Sequence, residues 1–327
     1  MATVSEPETT AAGRARTERW LLLAVAGYAA IVVVMMFAGG LRITPDVLVV
    51  ALGLVAVLIG RTKLFLRDWI PFVVIFLAYE LMRGIADDAG FPVHVEDVAA
   101  LERAIFGGIV PTAWLQERMA PPSGVGAAAI VATVFYMLHF ALPVVTGFVL
   151  WVWRRPRYHD YLAAFILLSF GGFVTFLLLP VAPPWMAAQR GVLDGPDGQP
   201  ILHYLKPDAF AAIAEFLGYP DGHELSSYVF YGVNPNGVAA FPSLHAGYPF
   251  LSFLVLRQAF GRIGWLALLY AIGVWWSIVF TGDHYVVDVL GGILYAAAAY
   301  LAAPRLAHWL AAVVRRLGGR SADPTPA

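Results

Sequence analysis

Apolar runs of membrane-spanning length dominate this sequence, and they leave few folds open. A bilayer core of about 30 Å requires about 20 helical residues, because every backbone N–H and C=O inside it must be bonded within the protein. Eight runs bounded by charge, Gly or Pro reach or approach that length: Trp20–Ala38, Pro45–Gly60, Trp69–Gly84, Val125–Trp153, Tyr161–Pro180, His245–Phe260, Ile263–Gly282 and Tyr285–Ala303. The chain is 60% hydrophobic and 13% charged, where a soluble domain carries about 25% charge. A soluble globule is excluded. The expected fold is all-α, a polytopic transmembrane helical bundle of about eight spans. One membrane-embedded domain is expected over residues 20–303, between tails at 1–19 and 304–327. The second and sixth runs are short for a full span, and Pro143 is expected to kink the long fourth run. The first run follows Arg14, Arg16 and Arg19 and lacks a small-residue cleavage pattern before Gly39-Gly40, so it reads as a retained span and not as a signal peptide.

Charge sets the orientation. With the N-terminus inside, the inner segments hold Arg14, Arg16, Arg19, Arg61, Lys63, Arg67, Arg154, Arg155, Arg157, Arg257, Arg262, Arg305, Arg315, Arg316 and Arg320, fifteen of the 21 Lys and Arg residues. The six on the outer side are Arg42, Arg83, Arg103, Arg118, Arg190 and Lys206. Both termini are therefore expected in the cytoplasm of a multi-pass cell-membrane protein. The formal net charge of −1 offers no broad basic surface, so nucleic acid is not an expected partner. The chain has no cysteine, which excludes disulfides, thiolate zinc sites and cysteine nucleophiles.

Two long connections, Ile85–Gly124 and Val181–Leu244, fall on the outer side, where function is expected. Within the first, Val98, Leu101, Ile105 and Phe106 have helical spacing in Val95–Glu117. That stretch is either an amphipathic helix on the membrane surface or an ordinary helix packed over the spans. The second is rich in Pro, Gly and Asp and reads as a loop with one short helix near Pro207–Leu217.

Ionisable residues placed in a membrane are costly and mark function by default. Those within or at the ends of the runs include Glu80, Arg83, His139, His245, His284 and Asp288. His284 and Asp288 lie four apart at the start of the last run, on one helix face, where the carboxylate can orient an imidazole and raise its basicity. A purely structural His–Asp pair would satisfy the same physics, and spacing alone leaves both readings open. His245 opens the sixth run in Ala240-Phe-Pro-Ser-Leu-His-Ala-Gly247. Pro242 and Ser243 suit a first turn and its cap, leaving backbone N–H groups to face an anion, with Gly247 allowing close approach. The alternative is a capped helix start whose histidine merely faces the head groups.

In sequence order these residues resemble a family. Pro242-Ser-Leu-His245 followed by His284-x-x-x-Asp288 resembles the second and third signatures of the type 2 phosphatidic acid phosphatase superfamily. Pro180-Val-Ala-Pro-Pro-Trp185, Pro242-Ser-Leu-His-Ala-Gly247 and Thr281-Gly-Asp-His-Tyr-Val-Val-Asp288 are closer to its inositol phosphorylceramide synthase branch. The resemblance covers Tyr79–Arg83 and Pro180–Gly292. It implies a six-helix phosphatase-like core with extra N-terminal helices, and chemistry on lipid phosphate esters without metal or cofactor. By resemblance His284 is the nucleophile at phosphorus, through a phosphohistidine intermediate. Asp288 orients it, and His245 is the acid that protonates the departing alkoxide. Substrate and phosphate contacts are expected from Arg83, Tyr79, Ser243 and His139. The implied partners are a phospholipid donor and a hydroxylated lipid acceptor, met at the outer face. Elementary chemistry agrees, since a phosphodiester needs a nucleophile, an acid for a poor leaving group and donors for the equatorial oxygens.

The sequence also departs from the wider superfamily. Its Lys-x6-Arg-Pro signature is absent, and Tyr79-Glu-Leu-Met-Arg83 is the nearest segment, with Arg83 either a phosphate clamp or a snorkelling span-end anchor. The superfamily's arginine six residues before the third-signature histidine is Ile278 here, so one cationic donor is missing; Lys206, Arg190 and a helix N-terminus are the candidates to replace it. His139 is a head-group contact or a structural histidine. Pro180–Trp185 reads as scaffold, Asp283 as the cap of the last span, and Asn234 and Asn236 as turn residues near the head group. Three other functions compete with head-group transfer. One is a lipid or isoprenoid phosphate phosphatase. A transporter is disfavoured because the ionisable residues collect at one face, and a zinc hydrolase would use His245, His284 and Asp288.

Overall fold

The computed structural model describes residues 45–70, 73, 90–139, 141–227 and 237–318. The chain divides into two compact units, residues 1–74 and 75–327. In the first, α1 (Pro45–Leu58) turns at Gly60, whose φ of 71° suits glycine, into α2 (residues 62–70). Phe65 and Trp69 stack there at 5.1 Å between ring centroids, one helical turn apart. The expected first run, Trp20–Ala38, and most of the third lie outside the described residues.

The second unit holds the remaining helices. They are α3 (Glu96–Ile105), α4 (Pro111–Met119), α5 (Ala127–His139), α6 (Leu142–Trp153), α7 (Arg155–Leu178), α8 (Pro184–Gln189), α9 (Lys206–Phe216), α10 (Gly222–Ser227), α11 (Leu244–Phe260), α12 (Trp265–Phe280) and α13 (Val286–Gly318). Pro111, Pro143, Pro156, Pro184 and Pro207 each stand in the first turn of a helix, where a missing N–H costs nothing. Pro143 stands in the first turn of α6, after a break that bends it 47° from α5, so the expected kink is present as two helices.

Among the described residues, Arg155–Leu178, Leu244–Phe280 and Val286–Leu306 are long and apolar enough to cross a membrane, and the bent α5–α6 pair makes a fourth. The 37-residue stretch is not one rod. Gly261, with φ 67°, ends α11, and a 3₁₀ turn over Gly261–Gly264 leads into α12, which packs back against α11. The chain is thus a multi-pass helical membrane protein, and the described residues account for up to four of the eight expected spans.

α11 lies at the centre, packed against α6, α7, α12 and α13. Its neighbours bury Val274, Ile278, Val289 and Ala296 inward. Leu266, Leu269 and Ile272 of α12, and Leu290, Leu294 and Leu301 of α13, stay exposed at roughly helical spacing, as lipid-facing stripes require. The stretch Val95–Glu117 is not a single amphipathic helix. Gly107 and Gly108, both at positive φ, divide it into α3 and α4. On α3 the outward residues are Leu101 and Ile105, whereas Ala99 and Glu102 are buried.

Candidate active site

Three segments distant in sequence are fastened side by side at one end of the bundle. Val181 lies between His94 and Ala239 in parallel bridges, Val181 N–H donating to Val238 O (2.7 Å) and Ala240 N–H to Val181 O (3.1 Å). Trp185 N–H donates to Gly282 O (3.0 Å). Pro180–Trp185 is therefore a crosspiece between the segments that carry His245 and His284, the scaffold role expected for it.

The start of α11 and the start of α13 touch through glycine. A Cβ on Gly292 would lie 2.0 Å from Ser243 O, and one on Gly247 3.1 Å from Gly292 O. Gly247 thus permits approach to α13, not to an anion. Ser243, fully buried, caps α11 as expected by accepting from Ala246 N–H (3.2 Å), and its own N–H donates to Asp288 O (3.0 Å). The N–H of Gly247 is likewise taken, by Ser243 O at 3.0 Å. Fewer N–H groups face outward from this turn than the sequence suggested.

This packing brings His245, His284 and Asp288 into one line. His245 Nδ1 and His284 Nε2 share a hydrogen bond of 3.0 Å, and His284 Nδ1 lies 3.5 Å from Asp288 Oδ2. His284 and Asp288 are buried, His245 partly so. Asp288 Oδ2 also accepts from Tyr285 N–H at 2.8 Å, which fixes the carboxylate at the start of α13. His139, at the end of α5, joins the cluster. Its ring centroid lies 4.5 Å from that of His245, and its Nδ1–H donates to Tyr136 O (2.6 Å). Tyr136 stacks on His245 with centroids 5.1 Å apart. Tyr79, Glu80, Arg83, Asn234 and Asn236 lie outside the described residues.

Asp283 does not cap the last span. Its carboxylate accepts from Lys206 Nζ, from Thr281 Oγ1 (2.5 Å) and from Tyr204 Oη (3.3 Å). The cap comes from Glu102, 184 positions before Val286. Glu102 Oε1 accepts from Val286 N–H (2.9 Å) and Oε2 from Val287 N–H (3.2 Å). Burial pushes the Glu102 carboxyl above its ordinary range, against the pull of those two N–H groups, and the Asp288 charge adds to the rise. Gln116 of α4 is a second tie that the sequence concealed. Its amide donates to His203 O (2.9 Å) and Phe280 O (2.8 Å) and accepts from His203 N–H (2.8 Å). A lone acid or amide on a short helix carries no periodic signal, so neither was visible before the fold.

The residues between α3 and α13 match a family model described as the PAP2 superfamily, over residues 96–302. That is well over half the chain, and the chain belongs to this superfamily. It is accordingly an enzyme of lipid phosphoryl chemistry, a phosphotransferase or phosphoric ester hydrolase. Over 264 residues it is 29% identical to the phosphoinositol dihydroceramide synthase of Bacteroides thetaiotaomicron, covering 78% of this chain and 81% of that one. It is 28% identical over 164 residues to the inositol phosphorylceramide synthase of Candida albicans, covering 48% of this chain and 32% of the relative. With the inositol phosphorylceramide synthase catalytic subunit of Saccharomyces cerevisiae it shares 25% identity over 239 residues, 72% of this chain and 55% of the relative. No solved structure matches the chain.

Proposed function

We propose that the protein transfers a phosphoryl-linked head group from a phospholipid, of the phosphatidylinositol class, to a hydroxylated lipid of the ceramide class. The observation that carries this reading is the His245–His284–Asp288 line, set in a chain whose relatives are named as synthases of inositol-phosphorylated ceramides. With His284 Nδ1–H directed at Asp288, the lone pair of His284 Nε2 is the nucleophile, held at rest by His245 Nδ1–H. In the first half-reaction Nε2 forms a bond to phosphorus and the P–O bond to diacylglycerol breaks. The proton on His245 goes to the departing alkoxide. In the second, the acceptor hydroxyl gives its proton to His245, its oxygen bonds to phosphorus and the N–P bond breaks. In-line displacement puts phosphorus between Nε2 and the leaving oxygen, so the 3.0 Å contact between the two rings opens when substrate enters.

His139 and Tyr136 line the cluster beside His245 and suit contact with the head group, while Arg83 and Tyr79 supply further phosphate contacts. The division of Lys and Arg supports a site at the extracytoplasmic face with both termini cytoplasmic. At a membrane edge a lipid acceptor is concentrated and oriented by the bilayer, which favours its attack over that of water. Incubation of purified protein with head-group-labelled phosphatidylinositol and a set of lipid alcohols is expected to give a new labelled lipid with ping-pong kinetics. Release of inorganic phosphate from monoesters alone, with no labelled lipid from any acceptor, would move the assignment to a phosphatase.

A further inference from the structure

Ile278 is fully buried, and its carbonyl accepts from the N–H groups of Asp283 and His284, 3.0 Å each. It holds the nucleophile's turn but brings no charge. Of the named candidates, Arg190 is exposed at the end of α8. Lys206 is different. It starts α9, is only 1% exposed, and its ammonium pairs with Asp283, the residue next to His284. The same Nζ stands 3.4 Å from the centroid of the Tyr136 ring, and that ring stacks on His245. A lysine is almost never fully buried unless paired, and Asp283 is the pair that holds this one beside the histidines.

Building on the transferase reading, we propose that Lys206 is the cation that receives a phosphoryl oxygen at this site, with the Tyr136 ring as its resting partner. An ammonium offers three N–H donors. Asp283 takes one in a fixed direction, because Thr281 and Tyr204 also bind that carboxylate. The π face of Tyr136 is a far weaker acceptor than a phosphate oxygen, so a phosphodiester entering beside His245 displaces the ring and keeps the Asp283 pairing. Position is set from outside as well. Gln116 clamps the backbone of His203, three residues before Lys206, to the end of α12 at Phe280. The pair with Asp283 balances the ammonium's charge, which makes a buried lysine tolerable before substrate arrives.

The test uses full-length protein in detergent and reads phosphate binding separately from turnover. Thermal stabilisation by inorganic phosphate is titrated on wild type, Lys206→Arg, Lys206→Met and the double variant Lys206→Met/Asp283→Asn, which leaves no unpaired buried charge. Phosphate is expected to bind wild type and Lys206→Arg, and to bind both methionine variants about 10- to 100-fold more weakly, as the loss of one charge-assisted hydrogen bond implies. In the transfer assay kcat/KM should fall by a similar factor in the double variant, and Lys206→Arg should recover part of it. Wild-type phosphate affinity in the folded double variant would overturn the assignment even if head-group transfer is confirmed. Failure of wild type to transfer any head group would overturn the transferase reading alone, because the phosphate titration needs no turnover.

Discussion

Replacing Glu102 by alanine probes how the outer helices hold the reacting residues, and its cost follows from the geometry. The carboxylate is fully buried and accepts two N–H bonds at the start of α13, 2.9 Å from Val286 and 3.2 Å from Val287. An exposed cap lost to alanine costs about 0.5–2 kcal/mol, because water takes over the orphan donors. Here burial keeps water away. Two unsatisfied donors at about 1–3 kcal/mol each make a loss of about 2–4 kcal/mol after partial relaxation a reasonable expectation. The frayed turn is the one that holds Asp288 and follows His284, so turnover should fall together with stability. Glu102→Gln keeps one carbonyl acceptor and should lose about half as much. Burial also raises the carboxyl above its ordinary value of 4.5, so the folded state holds its proton more tightly than the unfolded state does. The resulting contribution is complete below that ordinary value and is lost as pH rises through the raised one. Glu102→Gln should flatten that slope. Denaturant unfolding in detergent across this pH window, alongside the transfer assay, measures both. A Glu102→Ala protein within about 0.5 kcal/mol of wild type, with unchanged turnover, would refute the capping argument.

The remaining predictions concern the chemistry and the topology. His284→Ala should abolish turnover and any acid-labile phosphoenzyme, whereas His245→Ala should lose about 10²- to 10⁴-fold and be partly rescued by an activated aryl phosphate ester; equal losses on both substrates would refute the division of roles. Cysteines introduced at Asp194 and Ser321 in this cysteine-free chain should react differently with an impermeant thiol reagent on intact cells, Asp194 labelled and Ser321 protected; the reverse pattern would invert the topology.

What the sequence made legible was what periodicity and short spacing encode. The apolar runs from Val125 onward appear as helices, the loop helix near Pro207–Leu217 as α9, and the cap at Ser243 as written. His284 and Asp288 do meet, at 3.5 Å, but not across a helical turn as their spacing suggested: α13 begins at Val286, so His284 lies in the turn before it, held by its N–H bond to Ile278 O. Elsewhere the deciding partner is far away in the chain. Asp283 had the right residue type and position for a cap, yet a lysine 77 positions earlier claims its carboxylate and a glutamate from α3 takes the vacated role. Gly247 read as room for an anion, but the room is filled by α13, because Gly292 leaves no Cβ to hold the two helices apart. The face of α3 misleads for a related reason. Its larger apolar residues Leu101 and Ile105 stay outside, while Val98, Ala99 and its one buried charge, Glu102, turn inward. The polar demand that α3 meets is the pair of orphan N–H groups at the start of α13. Apolar packing docks the outer segments, with Val95, Val98 and Ala99 joining Val110, Leu193, Leu202 and Tyr285 in one cluster, and the Glu102 carboxylate ties α3 to the first turn of α13. Among the residues that position the site, the isolated polar ones, Glu102, Gln116 and Lys206, are those that hydrophobic patterning does not register.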